Sequence, residues 1–113
     1  MNQGDIFLVN LDPAIQTEIG KTRPALVISI DAMNHHSPRL IVAPITSNVG
    51  KLYPFEVFIP AGVAGLKKDS KIMLDQLRSL DKKRLVKKIG AVEKNLLIKA
   101  CAIAQKLISA TKP

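Results

Sequence analysis

The stretch Ala25-Leu26-Val27-Ile28-Ser29-Ile30 is apolar at five of its six positions. An apolar run of this length, without alternating polar residues, is typical of a β-strand that is buried on both faces. It begins directly after Pro24 and is followed by a polar loop over residues 31–38, which limits its length. We therefore predict that this stretch is the central strand of the fold.

Shorter apolar runs flank the central strand on both sides along the chain. Each run is bounded by Pro, Gly, Asn or Asp residues, which are typical of turns. Pro44 lies near the end of one run and predicts a bulge or a sheet edge at that point. The other expected strands are Ile6–Leu11, Leu40–Ile45, Phe55–Ile59, Lys71–Arg78 and Ile89–Val92, and Asp81 is expected to cap a helical turn over Lys82–Lys88.

A helix is expected at the C-terminal end, from Glu93 to about Ala110. Apolar residues recur there at spacings of three and four, which predicts an amphipathic helix of roughly 16 residues packed on the sheet. Cys101 lies on its apolar side and is expected to be buried and unreactive. The whole pattern predicts a single domain over residues 1–113, mainly β with a C-terminal α-helix, in the form of a small antiparallel barrel or curled sheet.

The composition excludes several classes of protein. The chain has 113 residues, of which 47% are hydrophobic, and its single Cys excludes an intramolecular disulfide. No apolar run approaches the roughly 18 residues of a membrane helix, and residues 1–5 lack the features of a signal peptide, so a cytoplasmic protein without a membrane partner is expected. Motifs for metal or nucleotide-cofactor binding are absent, so neither a metal site nor a cofactor is expected.

Positive charge is concentrated in one part of the chain. The net charge is +8, of which +6 lies within residues 67–88, where nine Lys and Arg accompany three Asp. A localised basic patch predicts a polyanionic partner, most often nucleic acid, and a solvated lysine-rich face is the alternative. Aromatic residues make up 4% of the chain and Trp is absent. Binding through phosphates and hydrogen bonds is therefore expected, with little base stacking.

Three polar segments at predicted strand ends are candidate functional sites. Thr17–Pro24 leads into the central strand, and the proline after Arg23 favours an extended backbone at that arginine. Ala43–Asn48 ends a strand in three small polar side chains, and Asp75–Arg78 places polar residues alternately along another. Turn chemistry and an ion pair are the structural alternatives for the second and third segments. Together, the three segments bring hydrogen-bond donors, acidic groups and an arginine to strand ends of a basic domain. This combination indicates a functional site.

These segments resemble the MazF/PemK (PemK/Kid) family of toxin endoribonucleases. The matching blocks occur in order and cover about residues 4–92, whereas the C-terminal helix is less diagnostic. They are Gly4-Asp5-Ile6-Phe7-Leu8-Val9, Leu11-Asp12-Pro13, Glu18-Ile19-Gly20-Lys21-Thr22-Arg23-Pro24-Ala25-Leu26-Val27-Ile28, Ala43-Pro44-Ile45-Thr46, Tyr53-Pro54-Phe55-Glu56-Val57 and Asp75-Gln76-Leu77-Arg78-Ser79-Leu80-Asp81.

The resemblance implies a fold, an activity and partners. The implied fold is an SH3-like barrel of the plasmid-maintenance toxin type, shared by MazF-like and CcdB-like toxins, and it would work as a homodimer. The implied activity is metal-independent, sequence-specific cleavage of single-stranded RNA, usually mRNA. A cognate antitoxin protein would neutralise it.

The resemblance also implies roles for individual residues. Arg23 matches the family's catalytic arginine, Thr46 its catalytic threonine, and Glu18 the acidic residue of a loop that precedes them. Two positions of that loop differ: Thr17 replaces a serine and keeps the hydroxyl, whereas Ile19 replaces a glutamine and removes a polar contact. The residues expected to bind RNA are Thr17, Lys21, Ser47, Asn48, Gln76 and Arg78.

The residue types suit cleavage of RNA by its own 2′-OH. This attack needs a proton acceptor, a proton donor and stabilisation of the charge on the phosphate oxygens, but no metal and no protein nucleophile. The Arg23 guanidinium can fork onto phosphate oxygens but is a poor base, since a guanidinium keeps its proton in proteins. Thr46 would add a hydrogen bond, and Glu18 is the candidate acceptor of the 2′-OH proton. The alternatives are a non-enzymatic gyrase poison of the CcdB type and a plain RNA-binding barrel.

Overall fold

The computed structural model describes residues 1–110, which form seven strands and two helices. The sheet runs in the order β4-β5-β3-β2-β1-β7 with antiparallel pairing throughout, and β6 pairs with the beginning of β3. The prediction of a mainly β domain with a C-terminal helix is confirmed. The elements are β1 (Asp5–Asn10), β2 (Thr22–Val27), α1 (Asp31–His36), β3 (Arg39–Thr46), β4 (Glu56–Ile59), β5 (Ser70–Met73), β6 (Arg78–Asp81), β7 (Leu85–Ala91) and α2 (Lys94–Leu107).

β2 separates two hydrophobic clusters, as its apolar sequence predicts. Leu26 belongs to the cluster that also contains buried residues of β4, β5 and α2. Ala25 and Val27 belong to the cluster on the opposite face, which includes Leu80 of β6. Burial of each Leu or Val side chain favours folding by about 1.5–3 kcal/mol, so a shift of β2 by one residue would be costly on both faces.

The bounds of β2 differ from the predicted ones by three residues at each end. The strand covers Thr22–Val27, and Ile30, expected in the strand, is 62% exposed. The chain leaves the sheet after Val27 because Ser29 and Asn34 bond to each other. The Asn34 side-chain amide donates to the Ser29 carbonyl at 2.8 Å, and the Ser29 hydroxyl bonds to the Asn34 amide oxygen. This turn leads into α1, which lies where a loop was expected.

The predicted strand over Lys71–Arg78 is two strands instead of one. β5 and β6 are separated by a 3₁₀ turn over Leu74–Gln76. The expected alternation is wrong because residues 74–76 form this turn, in which Leu74 packs in the hydrophobic core. The turn moves the chain from the end of β3, which pairs with β5, to its beginning, which pairs with β6.

Asp81 caps a helical turn as predicted, because the N–H of Lys83 donates to its carboxylate at 2.8 Å. The turn is shorter than expected and covers only Lys82–Arg84, since β7 begins at Leu85 and pairs with β1.

α2 packs on the sheet through its apolar side, where Ala100 is fully buried. The helix ends at Leu107, three residues before the predicted end. Cys101 is half-buried, and this burial raises the pKa of its thiol, so little reactive thiolate is present at neutral pH. No helix within residues 1–110 combines the length and the apolar character that crossing a membrane requires.

The expected barrel is not closed, since no ladder joins β4 to β7 among the described residues. The loop between β4 and β5 crosses β7 at close range instead. A Cβ added to Gly65 would lie 2.0 Å from the Ile89 carbonyl oxygen, and one added to Gly90 would lie 2.0 Å from the Ala64 carbonyl oxygen. Two glycines therefore allow the two backbones to touch, and the loop is held against β7.

The variant Gly65→Ala tests this crossing, with Gly62→Ala as the matched control. Both glycines have a positive φ (+82° and +87°), but a Cβ at Gly62 would meet nothing within 4 Å. We expect Gly62→Ala to lower the free energy of unfolding by about 1–2 kcal/mol through backbone strain alone. Gly65→Ala should lower it by clearly more, because the clash is added. Equal losses in urea denaturation would contradict a close crossing.

Candidate active site

A cavity opens where the ladder between β2 and β3 ends, at the pair Ala25 and Pro44. Pro24 has no N–H to donate to Ile45, which would be its partner if the register continued, so the ladder lacks a bond beyond this pair. The cavity has a volume of about 280 Å³, and we call it the Arg23 cavity. It is lined by Thr22, Arg23, Pro24, Ile45, Ser47, Leu66, Lys67, Lys68 and Ser70.

The half-buried Arg23 side chain is fixed at one point and free at the others. Its Nε donates to the Gly20 carbonyl at 2.8 Å. Its two terminal nitrogens make no hydrogen bond to residues 1–110. A guanidinium oriented in this way can present its terminal N–H groups to two oxygens of one anion.

Thr46 ends β3 and is 8% exposed. β2 and β3 are adjacent antiparallel strands, so Arg23 near the start of β2 and Thr46 at the end of β3 lie at the same end of their ladder. Thr46 does not itself line the cavity, but it lies between two residues that do. Its Oγ1 accepts the N–H of Asn48 at 3.1 Å, which leaves its own hydroxyl hydrogen available to donate. The two predicted catalytic side chains thus come to adjacent strand ends.

A larger cavity, of about 750 Å³, lies where the loop between β1 and β2 faces residues 75–78; we call it the Gln76 cavity. Gln76 Oε1 accepts the N–H of Ile19 at 2.8 Å and holds the loop in place. Arg78 Nη1 donates to the Leu11 carbonyl at 3.3 Å. The cavity is lined by Pro13, Ile15, Thr17, Glu18, Ile19, Pro44, Asp75, Gln76, Leu77 and Arg78.

Glu18 lies in the Gln76 cavity, apart from Arg23. Its Oε1 accepts the N–H of Ile15 at 2.8 Å, and its Oε2 accepts no hydrogen bond from the residues that the structure describes. One loop nevertheless connects the two cavities, because Gln76 holds Ile19 and Arg23 holds the next residue, Gly20. No group of three or more His, Cys, Asp or Glu within residues 1–110 is arranged to hold a metal ion.

The residues predicted to bind RNA and the residues that line the two cavities overlap only in part. Lys21 and Asn48, expected to bind RNA, are exposed and line neither cavity. Lys67 and Lys68 line the Arg23 cavity. The charge distribution places them at the start of the basic stretch but does not identify them as site residues. Ile15 is 70% exposed beside the Gln76 cavity, and no sequence pattern distinguishes it.

The basic stretch over residues 67–88 does not form one patch. Lys82, Lys83 and Lys87 line neither of the two cavities, and Lys88 lies 3.2 Å from a carboxylate oxygen of Asp5. Among the basic residues of this stretch within the described chain, only the first two lysines and one arginine line a cavity. Of the remainder, Lys71 is buried, and the others line neither cavity.

A buried ion pair holds the loop that follows Thr46. Lys71 and Glu56 have side-chain exposures of 10% and 5%, and their charged atoms are 3.0 Å apart. Lys71 Nζ also donates to the Lys51 carbonyl at 2.6 Å, and Glu56 Oε1 accepts the N–H of Tyr53 at 2.9 Å. Since Lys71 is the register partner of Thr46 in β5, this pair fixes both the end of β3 and the loop beyond it.

Residues 2–108 match the model of the family described as PemK-like, MazF-like toxin of type II toxin-antitoxin system. The chain belongs to this family. The match confirms the resemblance seen in the sequence blocks, and it extends over α2, the element that the sequence pattern left least diagnostic.

Named relatives of this PemK/MazF toxin cover most of its length. It is 42% identical over 97 residues to the endoribonuclease MazF9 of Mycobacterium tuberculosis, covering 81% of this chain and 82% of the relative. It is 39% identical over 100 residues to the endoribonuclease EndoA of Bacillus subtilis, covering 88% and 86%. Among solved structures, MazF from Deinococcus radiodurans aligns with a TM-score of 0.83 at 29% identity over 96% of each chain.

The variant Glu56→Gln tests the buried ion pair. It leaves the Lys71 ammonium buried without its carboxylate, and we expect the free energy of unfolding to fall by about 3 kcal/mol or more. The double variant Glu56→Leu/Lys71→Met should lose less, because neither charge remains. As a control, Lys88→Met removes a half-exposed charge and should cost less than about 1 kcal/mol. A double variant that is less stable than Glu56→Gln would contradict this account.

Proposed function

We propose that this PemK/MazF toxin binds single-stranded RNA across both cavities and cleaves it beside Arg23 by attack of the RNA's own 2′-OH. The endoribonuclease activity expected from the sequence is confirmed by the relatives, which are named endoribonucleases. The observation that carries the proposed location is the Arg23 cavity, which is lined by a guanidinium with free terminal N–H groups and by Ile45 and Ser47, the two neighbours of Thr46 in the chain.

Arg23 stabilises the charge that develops during the attack. As the 2′-oxygen bonds to phosphorus, negative charge grows on the two non-bridging oxygens, and the terminal N–H groups of Arg23 donate to them. The bond from phosphorus to the 5′ oxygen then breaks, and this oxygen takes up a proton from solvent and leaves as a 5′-OH, while the proton lost by the 2′-OH passes through its acceptor to solvent. Thr46 donates a hydrogen bond from its hydroxyl to the leaving 5′ oxygen. The products are a 2′,3′-cyclic phosphate and a 5′-OH.

Glu18 takes the proton of the 2′-OH in this proposal. Its Oε2 is available, whereas its Oε1 is occupied by the N–H of Ile15. An ionised carboxylate is a competent proton acceptor at neutral pH. The loop that carries Glu18 is tied to Arg23 through Gly20, so the acceptor and the charge-stabilising group are positioned by the same short segment.

The Gln76 cavity suits the bases rather than the scissile phosphate. It combines apolar walls at Ile15 and Leu77 with hydrogen-bonding groups of Thr17, Gln76 and Arg78. Such a mixture can read base edges and pack against their faces. Lys21 and Asn48, exposed outside both cavities, would contact the strand where it enters or leaves.

We further propose a cognate antitoxin, a homodimer and action in the cytoplasm. Structures titled as MazE–MazF complexes of Deinococcus radiodurans align with this chain at 26% identity and a TM-score of 0.77. The net charge of +8 favours an acidic inhibitor. Exposed apolar side chains on and after α2, at Ile98 (56%) and Ile108 (75%), offer surface for an isologous pair.

Replacement of Arg23 or Thr46 should abolish cleavage without unfolding the protein. We expect Arg23→Ala to lower the single-turnover rate by a factor on the order of 10²–10³, the usual effect of removing a transition-state donor, and Thr46→Ala to lower it strongly as well. Arg23→Lys should also fail, because a point charge does not replace the fork. Near wild-type cleavage by Arg23→Ala, with an unchanged circular dichroism spectrum, would refute the site.

Cleavage should be insensitive to chelators. The 2′-OH supplies the nucleophile and Arg23 supplies the positive charge, so EDTA should leave the rate unchanged, and mass spectrometry should find the cyclic phosphate and the 5′-OH. Loss of activity in EDTA that Mg²⁺ restores would rule out this mechanism. The same assay separates the two alternatives, since neither a gyrase poison nor a plain RNA-binding barrel cuts RNA.

The protein should be dimeric at micromolar concentration. Light scattering is expected to give twice the chain mass, and Ile98→Glu/Ile108→Glu should shift it toward the monomer if α2 contributes to the interface. A monomeric mass for the active wild-type protein would overturn the dimer.

A further inference from the structure

The two cavities differ in the charges that line them. The Gln76 cavity is lined by one arginine and by two carboxylates, Glu18 and Asp75. The Arg23 cavity is lined by Arg23, Lys67 and Lys68 and by no acidic residue. Three cations around about 280 Å³, without a carboxylate among them, form the more positive of the two sites and attract anions most strongly.

The segment that carries Lys67 and Lys68 is held in place on both sides. Leu66, just before it, is 5% exposed and belongs to the hydrophobic core, and its carbonyl accepts the N–H of Gly62 at 2.7 Å. Ser70, just after it, donates its hydroxyl to the Lys68 carbonyl at 2.9 Å. Together with the contact between Gly65 and β7, these bonds fix the backbone from which both lysines extend.

Neither lysine is neutralised by a neighbouring carboxylate. Asp69 follows them directly, but its Oδ1 accepts the N–H of Ala61 at 2.9 Å and serves the loop itself. The two ion pairs found within residues 1–110 involve other lysines, Lys71 and Lys88. Both ammonium groups are therefore available to an anion that enters the Arg23 cavity.

We propose that Lys67 and Lys68 bind the RNA backbone phosphate next to the scissile one. This rests on the proposed function, because Arg23 defines which phosphate is cut. Lysine offers a mobile point charge rather than a directional fork, so it suits a phosphate that must be held without being activated. Phosphate contacts carry no base information, so this subsite strengthens binding equally for every sequence and fixes the strand in register with Arg23.

The double variant Lys67→Gln/Lys68→Gln tests the subsite, with Lys82→Gln/Lys83→Gln as the matched control. Both remove two adjacent positive charges from the same basic stretch, but the control pair lines neither cavity. The probe is a short RNA that contains a mapped cleavage step and a single 2′-deoxyribose there, and its affinity is measured at several salt concentrations.

We expect the Lys67/Lys68 variant to bind about tenfold more weakly at low salt, because charge-assisted contacts to one phosphate are lost. Its log–log salt slope should be smaller by about 0.7, the value for one phosphate on a single strand. The loss should be the same for RNAs of different sequence. An affinity and a slope equal to those of the control variant would overturn the proposal.

A truncated substrate locates the phosphate. On a dinucleotide that has only the scissile phosphate, the Lys67/Lys68 variant should cleave as fast as the control. A deficit that persists there would place the lysines on the scissile phosphate and overturn the neighbouring subsite.

Loss of polyglutamate binding with unchanged RNA binding would assign the pair to an acidic protein instead. If wild-type protein bound RNA but cut none, no cleavage step could be mapped and the proposed function would fail, whereas binding of an unmodified RNA would still report whether Lys67 and Lys68 contact a phosphate.

Discussion

The site depends on the point at which β2 and β3 stop pairing. Up to Ala25 and Pro44 the two strands are joined in a regular antiparallel ladder at the centre of the sheet. Beyond that pair, Pro24 lacks the N–H that a continued ladder would need opposite Ile45. Arg23 lines the cavity that opens there, and Ile45 and Ser47, on either side of Thr46 in the chain, line it as well. A continuous ladder would bring the strands together and close that space.

The two cavities differ in the charge and polarity of the residues that line them. The smaller one is lined by cations and hydroxyls, and the larger one by a mixture of apolar, acidic and amide groups. A nucleic acid strand presents a uniform backbone charge on one side and variable bases on the other. The loop between β1 and β2 spans both cavities and is tied to each by a hydrogen bond, through Ile19 to Gln76 and through Gly20 to Arg23. In the proposed function, these two consecutive residues couple recognition of the base to placement of the phosphate.

Much of the sheet follows from local sequence, whereas its irregular points follow from tertiary contacts. The burial of residues 25–27 on both faces is predictable, since nothing else suits an unbroken apolar run. The end of β2 is not, because it depends on a bond between Ser29 and Asn34 that their types alone do not indicate. Asp75–Arg78 alternates like a strand, yet its first two residues belong to a 3₁₀ turn that begins at the core residue Leu74.

The candidate site is likewise predictable from the sequence only in part. Arg23, Thr46 and Glu18 are found through blocks of sequence that resemble one family, and the antiparallel pairing of β2 with β3 explains why Arg23 and Thr46 lie at adjacent strand ends. Lys67 and Lys68 are recognisable as basic residues but not as neighbours of Arg23. Their position depends on the crossing of the β4–β5 loop over β7, and that crossing requires two glycines 25 residues apart to coincide in space.

In the proposed reaction, the substrate's own 2′-OH, not water or a protein group, attacks the phosphate that Arg23 holds. The most direct measurement compares two RNAs that differ by one atom, the 2′-oxygen at the mapped cleavage step, in binding and in single-turnover cleavage. We expect the two RNAs to bind with nearly equal affinity. We expect no detectable cleavage of the 2′-deoxy substrate at that step, while other susceptible steps are still cut. Cleavage of the 2′-deoxy linkage at a rate near that of the ribose linkage would contradict this mechanism.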